Sequence, residues 1–357
     1  MSTQTHVSVI GHRRRRNWLI RCVVVFGSVL AALVVGEVFC RIAIPPRAPV
    51  RFRQDVEELS SFGLEQFGKI LEPDPEMFWR LPPNEWLPVT AGMNFGVISN
   101  SQRLREDHEI PWKKPPNETR ILFLGDSCTF GAGVQVNDGY VECAENHLCE
   151  QNVDAEFELI NAGVPGYGLF QGYRYWELEG HRFQPDLVVV CFGNNDMSHW
   201  DNMSDLEHHD ALMNSRPIEF LRWSRTCQLL WNVMNRPQSR GSRRPRLTPY
   251  EFSKILTQLD ESVRNKGADM LLISWPLRWQ VVPSSPHGPS PHQDALHEFS
   301  RTNSTMLVDL VPVLQRLCRE HSVEEIYLDE VHTTALTNVE IGNHVAGAID
   351  RWLMSKN

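Results

Sequence analysis

Ser127 is the residue around which a reaction can be assembled. It closes the run Ile121-Leu122-Phe123-Leu124-Gly125-Asp126-Ser127, and Gly131 and Gly133 follow. Four apolar residues bounded by glycine read as a strand buried on both faces that ends in a tight turn. That turn leaves Ser127 at the carboxyl edge of the strand, where open α/β sheets place their ligands. A hydroxyl there is a candidate nucleophile for acyl transfer if a base takes its proton and donors hold the oxyanion. Alone, the stretch is as well explained by a serine that caps the next helix.

Three distant segments offer the other parts. In Leu159-Ile-Asn-Ala-Gly-Val-Pro-Gly-Tyr-Gly168, a strand ending near Asn161 runs into Gly163, Gly166 and Gly168 around Pro165. Turn geometry alone explains such glycines, but beside a nucleophile a bare backbone N–H also suits an oxyanion. In Val188-Val-Val-Cys-Phe-Gly-Asn-Asn-Asp196, an apolar strand delivers Gly193, Asn194, Asn195 and Asp196 to the same edge. Asparagines are common turn formers, and an amide also donates without titrating. In Tyr327-Leu-Asp-Glu-Val-His332, the spacing lets the Asp329 carboxylate accept the Nδ1 hydrogen of His332 and leaves Nε2 facing the serine. The chain has 14 histidines, so a lone one carries little weight, and His208-His209 reads as surface.

The elements that must position these residues alternate from Thr119 onward. Strands are expected at 120–124, 156–160, 186–192, 269–274 and 306–309, with helices near 138–150, 170–181, 250–266, 293–301, 311–320 and 338–354. Thr337 and Glu340 form a capping-box pattern at the start of the last helix, whose Ile341, Val345, Ile349 and Trp352 share one face. Strands separated by helices imply right-handed crossovers, hence a three-layer α/β/α sandwich with a mainly parallel sheet.

The rest of the chain sets the context. With 357 residues, 41% hydrophobic and 22% charged, it is long enough for a full core, and its net charge of -9 argues against a nucleic-acid partner. The 8 cysteines include no CxxC pair; Cys22 and Cys40 fall in the apolar N-terminal stretch, and the others read as buried thiols, with any disulfide left open. No residue cluster suggests a metal, and no cofactor is expected. Arg13 to Arg16 precede an apolar stretch from Trp18 to Ile44, close to the roughly 20 residues that cross a bilayer. The positive-inside rule then makes 1–17 a cytoplasmic basic tail and puts everything after Pro45 in the periplasm or outside the cell. A secretory signal peptide is the rival reading of 18–44, and the lack of a small-x-small cleavage site after the apolar run favours an uncleaved anchor. Glu37 and Arg41 are placed to pair or to snorkel. Residues 45–118 read as an exported linker and a proline-rich subdomain of short strands packed on the main domain, with Trp79 and Trp86 as anchors. Residues 197–248 read as an insertion or cap, holding Trp200, Trp223, Trp231 and a basic run from Arg236 to Arg246.

With these motifs in view, the sequence resembles the SGNH hydrolase superfamily, the GDSL-like esterases and lipases, over about residues 119 to 350. The resemblance assigns Ser127 as nucleophile, Gly166 as the second-block glycine, Asn195 as the asparagine of Gly-x-Asn-Asp, and His332 as base with Asp329 as its partner. Cys128-Thr129 departs from the family's leucine, and the chain between His332 and Gly342 is longer than expected. The implied chemistry is ester hydrolysis through a Ser-His-Asp triad, with an oxyanion hole made by the Ser127 and Gly166 N–H groups and the Asn195 side chain. A small-molecule or glycan ester, O-acyl or O-acetyl, is the implied substrate. O-acyl transfer to an exported polysaccharide is the alternative, and a non-catalytic glycan-binding module comes third. The acid and base follow the serine in the chain, which favours hydrolysis over the alginate-type acetyltransferase arrangement.

Overall fold

The computed structural model describes residues 5–43, 71–87, 96–153, 155–199, 203–214, 224–227, 244–282 and 288–356. They divide into two units, one within 1–47 and 211–238 and the other within 48–210 and 239–357. Residues 45–70 and 88–95 of the expected linker and subdomain, Trp200, Trp223, Trp231 and most of the basic run lie outside the described residues.

In the larger unit, two short antiparallel pairs come first, β1 (Glu72–Asp74) with β2 (Phe78–Arg80) and β3 (Trp86–Leu87) with β4 (Val97–Ile98). The main sheet holds β5 (Glu118–Gly125), β6 (Glu156–Gly163), β7 (Leu187–Cys191), β8 (Asp269–Ser274) and β9 (Met306–Asp309), all paired in parallel in the order β6-β5-β7-β8-β9. In this order the chain reverses direction across the sheet between β5 and β7, which is the switch point where such sheets open a crevice. The register brings Gly125 beside both Gly163 and Cys191, so the loops after β5, β6 and β7 leave the sheet at one level.

Helices cover both faces. Ile121, Phe123, Leu187, Val189, Leu271 and Ile273 face one way, into a core with Val141, Ala144 and Leu148 of helix Tyr140–Gln151 and Ile341, Val345 and Ile349 of helix Ala335–Lys356. Their alternates Leu122, Val188, Val190 and Leu272 are also fully or almost fully buried, as period-two strands covered on both sides require. Helices Leu169–Leu178, Pro249–Asn265 and Pro291–Asn303 pack on one another.

Several expectations need correction. The last helix begins at Ala335, before Thr337, because the Thr334 hydroxyl caps the Thr337 N–H at 3.5 Å while the Thr337 hydroxyl donates to the Ile326 carbonyl at 3.0 Å. Trp79 is fully buried, but Trp86 is 67% exposed, since the two-residue β3–β4 ladder leaves its ring uncovered. His208 and His209 are not surface residues. They lie on a helix, Asp205–Asn214, with His208 buried edge-on to Phe78 and His209 Nε2 3.1 Å from Glu76 Oε2.

In the smaller unit, helix Thr5–Ala43 carries an apolar span, Ile20–Ile42, of 23 residues with mean hydropathy 2.4. This helix is long and apolar enough to cross a membrane, and Phe26, Leu33 and Phe39 along it are exposed. Arg41 donates to Glu37 at 2.7 Å, and the same carboxylate accepts from the Ser224 hydroxyl and the Arg225 N–H, each at 2.8 Å.

An acidic cluster underlies the candidate site, with Glu106 buried and Glu142 and Glu145 half-buried. Glu106 accepts the Asn161 N–H at 2.8 Å, Glu142 accepts the Asn161 side-chain amide at 3.1 Å, and Glu145 accepts the Leu159 N–H at 3.1 Å. Beside them Arg105, fully buried, donates to the carbonyls of Phe130, Gly131 and Val134 and so ties down the loop after Ser127. Burial pushes the Glu145 carboxyl up to about 7 and raises Glu106 and Glu142 as well. Below about 4.5 Glu145 is protonated folded or unfolded; between about 4.5 and 7 only the folded chain keeps the proton. Folding stability therefore declines as pH rises through that window. The melting temperature should fall from pH 5 to pH 8, and Glu145→Gln should flatten the slope; a variant with the wild-type slope would contradict this assignment.

Candidate active site

The turn after β5 presents Ser127. Asp126 stands at the N-cap of the short helix Ser127–Phe130, its Oδ1 accepting the Cys128 N–H at 2.8 Å, and Gly131 ends that helix in the left-handed region at φ 76°. Gly163 is required by close approach, since a Cβ there would run into the backbone nitrogen of Phe130. The neighbouring thiol of Cys128 is no rival nucleophile, because burial pushes it well above the ordinary cysteine range.

From the opposite edge of the crevice, the loop before the last helix brings in His332. Its Nε2 lies 2.8 Å from Ser127 Oγ, and its Nδ1 lies 2.6 Å from Asp329 Oδ2. Asp329 Oδ1 accepts the backbone N–H groups of Val331 and His332, both at 2.8 Å, so a tight turn and the side-chain pair fix each other. The Trp275 indole holds the Val331 carbonyl at 2.9 Å, and Tyr327 bridges to Thr333 across the base of the loop. Burial works to raise the Asp329 pKa, but the hydrogen bonds and charge of His332 and the Val331 N–H outweigh it and hold the carboxyl at about 2. Asp329 is thus an anion throughout the neutral and mildly acidic range, suited to orient an imidazole and to balance its positive charge.

Asn195 and Gly166 arrive from β7 and β6. The Asn195 amide donates to the Tyr167 carbonyl at 2.9 Å and to Asp126 Oδ2 at 3.2 Å, so both of its hydrogens are engaged. Gly166 adopts φ +80°, a conformation that favours glycine. Among the described residues, neither the Gly166 N–H nor the Ser127 N–H has a protein acceptor. Asp196 turns the other way and accepts the Leu169 N–H at 3.0 Å, at the start of helix Leu169–Leu178. Burial raises the Asp126 pKa to about 6, against the Cys128 N–H and the charge of His332, which lower it.

All five residues picked out by sequence, Ser127, Gly166, Asn195, Asp329 and His332, therefore lie at one edge of the sheet, with Asn195 tied to Asp126 as well. Two neighbours of this edge make contacts that local pattern does not reveal. Trp79, a packing anchor as expected, also donates its indole N–H to the Pro165 carbonyl at 2.9 Å. Arg246, the last residue of the basic run in the expected insertion, is fully buried; it pairs with Asp205 at 3.0 Å and donates to the Gly166 carbonyl at 2.6 Å. Burial dictates these partners, because a guanidinium without water needs a carboxylate and carbonyls around it.

A serine, an imidazole and a carboxylate thus stand in hydrogen-bond contact at the switch point of a parallel sheet. The chain belongs to the GDSL-like lipase/acylhydrolase family, whose model matches residues 123–338, and it is by family an ester hydrolase. No curated protein sequence matches it. Among solved structures it is similar to an α/β hydrolase enzyme from the metagenome of Lake Arreo, Spain, at 17% identity and TM-score 0.45, over 67% of this chain and 97% of that one. It is likewise similar to the acetyl xylan esterase AlAXEase, at 17% identity and TM-score 0.44, over 65% and 98%. A third is the acetylxylan esterase Axe2 of Geobacillus stearothermophilus, at 14% identity and TM-score 0.44, over 65% and 94%. At these scores the likenesses say nothing of substrate.

The 2.6 Å contact between His332 and Asp329 has a spectroscopic consequence. The imidazole Nδ1 hydrogen should resonate well downfield of the amide envelope in the proton spectrum, and Asp329→Asn should remove that signal. A signal that survives the substitution would contradict the pairing.

Proposed function

We propose that the chain is a membrane-anchored serine esterase that hydrolyses O-acyl esters, O-acetyl groups on glycans among them, outside the cytoplasm. The observation that carries this reading is the 2.8 Å contact of His332 Nε2 with Ser127 Oγ, continued at 2.6 Å to Asp329. His332 takes the hydroxyl proton as Ser127 attacks the ester carbonyl, forming a tetrahedral oxyanion. The Ser127 and Gly166 N–H groups receive that charge. Asn195 joins them by exchanging its longer bond, the one to Asp126, while keeping the Tyr167 carbonyl. The imidazolium then protonates the leaving alcohol, and water, activated by the same imidazole, releases the acyl group from Ser127. Asp329, anionic throughout, stabilises the imidazolium in both halves.

Anchoring rests on the span Ile20–Ile42 preceded by Arg13 to Arg16. Protease added to intact spheroplasts should digest the catalytic domain, and full protection would refute the orientation.

Turnover tests the chemistry. The full-length protein in detergent should hydrolyse nitrophenyl esters, and a panel of rising chain length should reveal the preferred acyl group. Asn195→Ala should stay folded and lose about 10²- to 10³-fold in kcat with little change in KM, the usual effect of removing one oxyanion donor. Absence of turnover on every activated ester would sink the esterase reading. An Asn195→Ala variant with near wild-type kcat would sink only the role of that residue.

A further inference from the structure

Three consecutive carbonyls in the loop after β6 each accept a side-chain hydrogen bond from a different part of the chain. Pro165 accepts from the Trp79 indole at 2.9 Å, Gly166 from Arg246 Nη1 at 2.6 Å, and Tyr167 from the Asn195 amide at 2.9 Å. A trans peptide is planar, and its C=O and N–H point in opposite directions. The Pro165 carbonyl and the Gly166 N–H are therefore two ends of one rigid unit, and a donor that grips the first aims the second.

Trp79 is built to be that donor. It is fully buried, its ring is edge-on to Tyr167 with centroids 5.8 Å apart, and the Tyr167 hydroxyl donates back to the Trp79 carbonyl at 2.6 Å. A Cβ on Gly166 would sit 3.1 Å from the indole, so ring and peptide are in contact. Arg246 lies over the same ring at 5.7 Å and is itself fixed by Asp205 and by Gln171 Oε1 at 2.9 Å. Gly166 has no side chain of its own to anchor it, so the two flanking peptide planes are held from outside. A hydrogen bond to the carbonyl end of a peptide also polarises its N–H, which strengthens what that N–H donates.

We propose that Trp79, which precedes the residues matched by the family, is a positioning residue for the oxyanion hole: its indole N–H fixes and polarises the Pro165–Gly166 peptide so that the Gly166 N–H meets the developing negative charge. The proposal rests on the reading of Ser127 as nucleophile and extends it to a segment outside the catalytic motifs.

The test compares full-length wild type with Trp79→Phe and with a variant carrying benzothienylalanine at position 79, which keeps the shape of the indole and replaces only its N–H. Each is assayed on a nitrophenyl ester and with a trifluoromethyl ketone, which forms a hemiketal anion on the serine. The benzothienyl variant should melt near wild type, lose about ten- to a hundredfold in kcat with KM within about twofold, and bind the ketone weaker by a similar factor. Trp79→Phe, which also leaves a cavity, should lose at least as much; should it fail to fold, the benzothienyl variant decides. A folded benzothienyl variant with unchanged kcat and ketone affinity overturns the proposal, as does a rise in KM alone. If wild type turns over no ester, the esterase reading fails and takes this proposal with it; if wild type is active and the benzothienyl variant matches it, only the role of Trp79 fails.

Discussion

The placement of Ser127 at the end of β5, between the ends of β6 and β7, is the constraint on which the rest of the structure depends. Gly125 is paired with Gly163 on one side and Cys191 on the other, so three loops emerge at one height around a single hydroxyl. Everything else at this edge reads as a response. Asp126 caps the turn and restrains Asn195, the loop after β6 brings a glycine with left-handed backbone, and the loop ahead of the last helix lays an imidazole across the gap. Burial of these groups is what makes their few hydrogen bonds count, because polar contacts shielded from water are both stronger and costlier to lose.

Much of the support comes from polar side chains buried behind the site. Arg105, from the segment before β5, holds the carbonyls that follow Ser127, and Glu106, Glu142 and Glu145 crowd the adjoining strand β6. Arg246, paired with Asp205 at the base of the insertion, grips the loop after β6 from its other side. A buried guanidinium that lost its carboxylate would be left as an uncompensated charge, so the Arg246–Asp205 pair is committed to one arrangement of the loop it touches. The short strands before β5 thus belong to the same structural unit as the sheet, and Trp79 joins them to the loop that carries Gly166.

The parallel sheet is legible in the sequence because each strand is an apolar run of the right length closed by glycine, asparagine or a polar turn. The same runs place the motifs of Ser127, Gly166 and Asn195 at strand ends, while Asp329 and His332, in the loop before the last helix, are legible only through their own spacing. What pattern does not reveal is pairing at a distance. Trp79 and Pro165 are 86 residues apart, and Arg246 and Gly166 are 80 apart, and no local periodicity joins them. Arg246 closes a basic run, and nothing local shows that its carboxylate partner lies 41 residues upstream. Thr337 shows the same limit at short range: its capping-box spacing is genuine, but a hydroxyl three residues earlier and the Ile326 carbonyl compete for the same groups. Local rules name a plausible hydrogen bond, and tertiary contacts choose among several.

The central claim is that Ser127 is a nucleophile activated by His332. Incubation of the full-length protein with a fluorophosphonate, followed by peptide mass spectrometry, tests it most directly. The account predicts a covalent adduct on Ser127, none on Ser127→Ala, and much slower labelling of His332→Ala than of wild type. An adduct on another residue, or labelling of His332→Ala at the wild-type rate, would contradict it.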